Sequence, residues 1–127
     1  MIQKEKRKFP RLVLQIEDGY FGNFRLSNNE TLTGPMMNLS AGGMNIAIPQ
    51  AASGRIRSGD ELLVKNIAGG TTLSFLSDLK AEIRWIKDLG HPGYVFVGCK
   101  FNGIPDEVLQ QLHKFVDTER KTRGQYG

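Results

Sequence analysis

Two short constellations in this chain have residue types and spacing suited to holding an anionic ligand. The first is Arg7-Lys8-Phe9-Pro10-Arg11, two arginines four residues apart just ahead of the first apolar run. Pro10 disfavours helix at Phe9 and removes a backbone donor, so the segment is expected to be extended or turned. An arginine presents a planar fork of donors that suits phosphate oxygens and the O6/N7 edge of guanine, so the pair could clamp an anionic purine nucleotide. The second constellation is Asn38-Leu39-Ser40-Ala41-Gly42-Gly43. In an extended segment Asn38 and Ser40 share one face while Leu39 points inward. Gly42 and Gly43 allow a positive φ and close approach of a bulky group. Taken singly, the arginines read as a solvated arm, Asn38 and Ser40 as turn caps, and the glycines as a hairpin.

The rest of the sequence must supply the frame. Leu79-Lys80-Ala81-Glu82-Ile83-Arg84-Trp85 alternates apolar and charged residues, as a half-buried antiparallel strand does. That alternation points Trp85 inward with Ala81 and Ile83. Leu12 to Glu17 alternates likewise, with Leu12, Leu14 and Ile16 inward, and so does Met44 to Ile48. Glu61 to Lys65 and Tyr94 to Phe101 are further strands, with Val95, Val97, Cys99 and Phe101 on one side. Thr31 to Leu39 contains Pro35, which suits an edge position. Pro49 to Gly59 reads as a loop. After Phe101 the period becomes helical: Val108, Leu109, Leu112, Phe115 and Val116 form one stripe. Pro105 fits the first helical position, and Asp106 and Glu107 complement the helix dipole, giving a helix over 105–122.

At this point the sequence resembles the PilZ domain family. RxxxR followed by (D/N)xSxxG is that family's signature, met here by Arg7 and Arg11 and by Asn38, Ser40 and Gly43. The late strand Val97-Gly98-Cys99-Lys100-Phe101 and the closing helix extend the likeness over nearly the whole chain. The resemblance implies an all-β fold with a C-terminal helix, a six-stranded antiparallel β-barrel of split-barrel type. It implies a receptor for cyclic diguanylate (c-di-GMP) and not an enzyme, with Arg7 and Arg11 holding guanine and phosphate, and Asn38, Ser40 and Gly43 forming the barrel side. Lys6, Lys8, Gly42 and Trp85 are subsidiary candidates, Trp85 because its strand approaches the ligand in some relatives. One domain is expected over 1–127: a basic arm over 1–11 that orders around the ligand, the barrel over 12–102, and the helix.

Position 38 is Asn where Asp is commoner in the family, and a neutral amide offers one acceptor oxygen where a carboxylate offers two charged ones. Lys6 stands where many relatives have a third arginine that favours an intercalated ligand dimer, which leaves the stoichiometry open.

Composition bounds the alternatives. The net charge of +4 is carried by the ends: residues 1–11 have five basic side chains and one acid, and Arg120, Lys121 and Arg123 follow the helix stripe. Residues 12–119 hold nine Lys/Arg against twelve Asp/Glu, a slightly acidic body. This suits an anionic ligand near a terminus better than a broad nucleic-acid face. Tyr20, Phe21, Phe24 and Arg25 are the one hint of an OB or cold-shock barrel binding nucleic acid. A PilZ fold serving only as a protein-interaction module is the other alternative. His91 and His113 are expected at the surface and Cys99 in the core, so no metal site or base-activated nucleophile is expected. The expected partners are c-di-GMP and an effector protein, in a cytoplasmic monomer or homodimer without membrane insertion.

Overall fold

The computed structural model describes residues 9–69 and 71–125, with Thr71 and Thr72 in backbone only. Lys6, Arg7 and Lys8, and with them most of the expected arm, lie outside the described residues. The strands are β1 (Leu12–Val13), β2 (Phe21–Leu26), β3 (Thr31–Leu39), β4 (Gly43–Pro49), β5 (Glu61–Ala68), β6 (Lys80–Lys87) and β7 (Tyr94–Asn102), followed by helix α1 (Asp106–Thr122). All pairings are antiparallel, in the order β1-β3-β2-β5-β6-β7-β4, and β4 returns to pair with β3. The six strands β2–β7 therefore close a barrel, and β1 is an extra strand beside β3. Closure removes the unpaired edges that an open sheet would expose.

The barrel closes around an apolar core in which the residues that alternation put inside are joined by Phe24, Leu32 and Met36. Leu12, Phe24, Leu32, Met36, Leu39, Ile46, Ile48, Val64, Ala81, Ile83 and Val97 are wholly or almost wholly buried. Helix α1 packs on this core through Leu112 and Val116, with Val108, Leu109 and Phe115 partly covered. Pro105 sits one residue earlier than expected, at the N-cap, where its carbonyl accepts from the Leu109 N–H at 2.9 Å.

Five elements depart from the sequence expectations. No strand was expected over β2 (Phe21–Leu26), yet it is the sixth strand of the barrel, in place of the segment from Leu12. The first strand ends at Val13, because the chain turns into a 3-10 segment at Ile16–Asp18, and Ile16 is exposed rather than inward. The turn is fixed by a capping box in which the Asp18 carboxylate accepts from the Gln15 N–H at 2.7 Å. Pro35 is not on an edge strand: β3 lies inside the barrel, and Pro35 is where its ladders change. Phe21↔Pro35 ends the pairing with β2, and Met36↔Ile46 begins the pairing with β4. The expected loop after Pro49 contains a 3-10 turn, Gln50–Arg55, and another at Thr71–Leu76 buries Leu73 and Leu76. Finally, β6 carries a bulge between Ile83 and Trp85, which reverses the facing of everything after it.

Candidate functional site

The elements that gather the site meet at one end of β3. Leu12↔Leu39 and Val13↔Asn38 set Arg11 beside the end of β3, and Asn38↔Asn45 aligns two amide side chains across β3 and β4. The chain then reverses in a tight turn. The Ser40 N–H donates to the Gly43 carbonyl at 2.9 Å, and the Gly43 N–H donates back at 3.3 Å. The Ser40 hydroxyl accepts from the Gly42 N–H at 3.1 Å, so its first role is to cap this turn. Leu39 is fully buried, as the two-residue alternation requires.

Neither glycine adopts a positive φ. Their roles differ from the expected one and from each other. A Cβ on Gly43 would stand 2.0 Å from the Cys99 carbonyl oxygen, so Gly43 is demanded by the close approach of β4 to β7. A Cβ on Gly42 would press on the Phe9 ring at 3.0 Å and touch the Ser40 hydroxyl at 3.8 Å.

Trp85 is the larger correction. Its strand's alternation pointed it to the core, but the bulge at Arg84 turns it outward and sends Ile86 toward the core instead. The half-buried indole lies flat over Gly98 of β7, where any Cβ would meet the ring at 2.1 Å. The Lys87 ammonium stands 5.0 Å from the ring centroid, within cation–π range.

A cleft of about 230 Å³ opens on the outer barrel surface between these elements. Its walls include Arg11, Asn38, Ser40, Gly42, Gly43 and Trp85, six of the residues singled out from the sequence. Phe9, Asn45 and Arg84 also line it. Asn45 was legible in principle, since Met44 and Ile46 on either side point inward. Arg84 was not, because it sits at the bulge. The volume falls below the roughly 300–1,000 Å³ of enclosing small-molecule sites. A dinucleotide here would lie against the barrel with one side covered by other chain or solvent.

Cys99 forms part of the cleft floor, and burial pushes its thiol up to about 12. A folded-state value above the ordinary thiol range keeps the sulfur protonated through pH 9, so it is a poor nucleophile. Iodoacetamide at pH 8 is expected to leave Cys99 unmodified in the folded protein and to label it in denaturant, as mass spectrometry would show. Among the described residues no cluster of His, Cys, Asp or Glu is arranged to hold a metal. The aromatics that hinted at a nucleic-acid face are mostly committed elsewhere: Phe24 is core and Tyr20 packs edge-on against Phe115. No helix among the described residues is long and apolar enough to cross a membrane.

A closed barrel with a helix across it and a small polar cleft beside the β3–β4 turn defines a class of surface-binding β-barrel. The PilZ domain model matches residues 5–118, and the chain belongs to that family. No curated protein sequence matches it. Among solved structures it is similar to the PilZ domain with c-di-GMP of YcgR from Escherichia coli, at 20% identity and a TM-score of 0.72, covering 95% of this chain and 97% of that one. It is also similar to the Bacillus subtilis inhibitor of motility MotI/DgrA (14% identity, TM-score 0.69, 94% of this chain and 53% of that one). The K. pneumonia MrkH–c-di-GMP complex is a third (14%, TM-score 0.67, 97% and 57%). The chain thus spans nearly all of the isolated YcgR domain but little more than half of the other two proteins.

Proposed function

We propose that this chain is a c-di-GMP receptor that binds the dinucleotide in the cleft beside the β3–β4 turn and relays its presence to an effector protein. The observation that carries this reading is the convergence of Arg11, Asn38, Ser40, Gly43 and Trp85 on one cleft of a PilZ-family barrel. Arg11 supplies a charged fork for a phosphate or a guanine O6/N7 edge. Asn38 and Asn45 offer amide donors and acceptors to the polar edges of the base. Trp85 gives a flat apolar face beside them, on which a purine can stack once the Lys87 ammonium moves off the ring. Arg7 is assigned to the same ligand from the motif, with Lys6 and Lys8 adding positive charge, and the N-terminal segment closes over the bound dinucleotide.

Each charge-assisted hydrogen bond to the ligand contributes about 1.5–3 kcal/mol, against about 1–2 kcal/mol for each residue ordered. A modest affinity with a large local rearrangement is the expected balance, which suits a sensor. The reading places the protein in the cytoplasm, acting by binding rather than catalysis. Motility, polysaccharide export and transcription are the processes that domains of this family regulate, and the effector lies within one of them.

Trp85 is the only tryptophan, so its emission reports on this cleft alone. Titration with c-di-GMP is expected to quench and shift that emission saturably. Trp85→Phe, which keeps a smaller stacking face, is expected to weaken binding about three- to tenfold, in line with the stacking energy one ring contributes. An emission that stays constant while ligand binds would remove Trp85 from the site.

A further inference from the structure

The tail that follows α1 grips the strand next to Arg11. The Val13 N–H donates to Gln125 Oε1 at 2.8 Å, and Gln125 Nε2 donates to the Val13 carbonyl at 2.9 Å. One side chain thereby satisfies both backbone groups of an edge residue, as a neighbouring strand would. Arg123 completes the grip. Its Nη1 donates to Asp18 Oδ1 at 2.8 Å, and its Nε donates to Glu119 on the preceding helical turn at 3.2 Å. These groups are only about a quarter exposed. The Gln15 N–H, followed by Arg123, holds the Asp18 carboxyl below the ordinary carboxylate range, so the pair stays ionised at neutral pH.

On the other side of Arg11, the Phe9 ring lies 5.3 Å from that of His113 on α1. The stretch 9–13 is therefore attached to the helix and its tail at both ends, with Arg11 midway. Val13 is also the residue paired with Asn38. A side chain more than a hundred residues away thus holds the β1–β3 pair that carries Asn38 and follows directly on Arg11.

We infer that the clasp of Gln125 on β1 and of Arg123 on the 3-10 turn that follows it positions Arg11 and Asn38 for the ligand, and that occupancy of the cleft is read out at the C-terminal end of α1. This rests on the c-di-GMP reading of the cleft. Arg123 and Gln125 are positioning residues and do not line it. Linkage makes the effect reciprocal: if the closed clasp favours binding, bound ligand closes the clasp by the same factor. The end of α1 is then the surface on which an effector senses the ligand.

The test combines c-di-GMP calorimetry with amide hydrogen exchange on the full chain. Gln125→Ala is expected to bind about tenfold more weakly, within the range of ordinary coupling between sites, while its melting temperature stays within about 2 °C. Arg123→Ala is expected to lose affinity similarly, and Arg123→Lys, which keeps a cation for Asp18, to recover most of it. In the unsubstituted protein, saturating c-di-GMP is expected to slow exchange at Val13 and at residues 123–125, an effect absent in Gln125→Ala. Unsubstituted affinity in both alanine variants, or unchanged exchange at 123–125 on binding, would overturn the clasp alone. Failure of the unsubstituted protein to take up c-di-GMP would overturn the cleft reading and the clasp with it.

Discussion

Replacing Arg11 with alanine is expected to weaken c-di-GMP binding about a hundredfold and to leave the melting temperature within about 2 °C. The side chain is exposed and stands at the mouth of the cleft, one residue before β1. The backbone there is also held by the Leu12 side chain in the core and by the β1–β3 ladder. Exposed substitutions away from caps and cores generally change stability by less than about 0.5 kcal/mol. Two charge-assisted hydrogen bonds lost together amount to about 3 kcal/mol or more, which is over two decades in affinity. Arg11→Lys separates charge from geometry. It keeps the cation but not the bidentate fork, so it is expected to recover about a third of the lost binding energy. Calorimetry on the three proteins, with thermal melts alongside, checks both halves. A variant that fails to fold would make Arg11 structural.

Gly43→Ala is expected to destabilise the protein by about 3 kcal/mol and to lower its melting temperature by about 10 °C. The atom in the way is the Cys99 carbonyl oxygen, and the Gly43↔Lys100 and Met44↔Cys99 pairs lock it into the β4–β7 ladder. A flexible side chain could rotate aside, but a paired backbone cannot. The strain opens the seam next to the Ser40–Gly43 turn, so binding is expected to fall together with stability. Gly42→Ala is the control. Its new methyl meets side chains alone, the Phe9 ring and the Ser40 hydroxyl, and both the unfolding equilibrium and binding are expected to change by less than threefold. The contrast separates the two adjacent glycines: only Gly43 is required by the fold, and the ligand does not have to be invoked to explain it.

Most of the barrel was legible in the sequence because apolar residues recur every second position along its core-facing strands, with the exception of β2, whose inward positions begin at Gly22. Met44-Ile46-Ile48 and Val95-Val97-Cys99-Phe101 could be assigned from period alone, and the helix stripe from Leu109 to Val116 likewise. The half of the site on the β3–β4 turn was equally legible, since a short polar motif on a hairpin brings its own geometry. What escaped were features set by non-local pairing. The bulge that turns Trp85 outward depends on its register against Gly98. The inner position of Pro35 depends on the ladder changing partners there. The clasp from Gln125 to Val13 joins the two ends of the chain, and no local window contains both. Ile16 misled for a different reason: a capping Asp two residues later ends the strand before the alternation does.

The central claim is that the cleft recognises c-di-GMP, and isothermal titration of the purified protein with that dinucleotide tests it most directly, with GTP and single-stranded DNA as controls. Saturable binding to c-di-GMP and to neither control is the predicted result, and its stoichiometry decides between one ligand and a stacked pair. No heat at high ligand concentration, or preferential binding of DNA, would contradict the account.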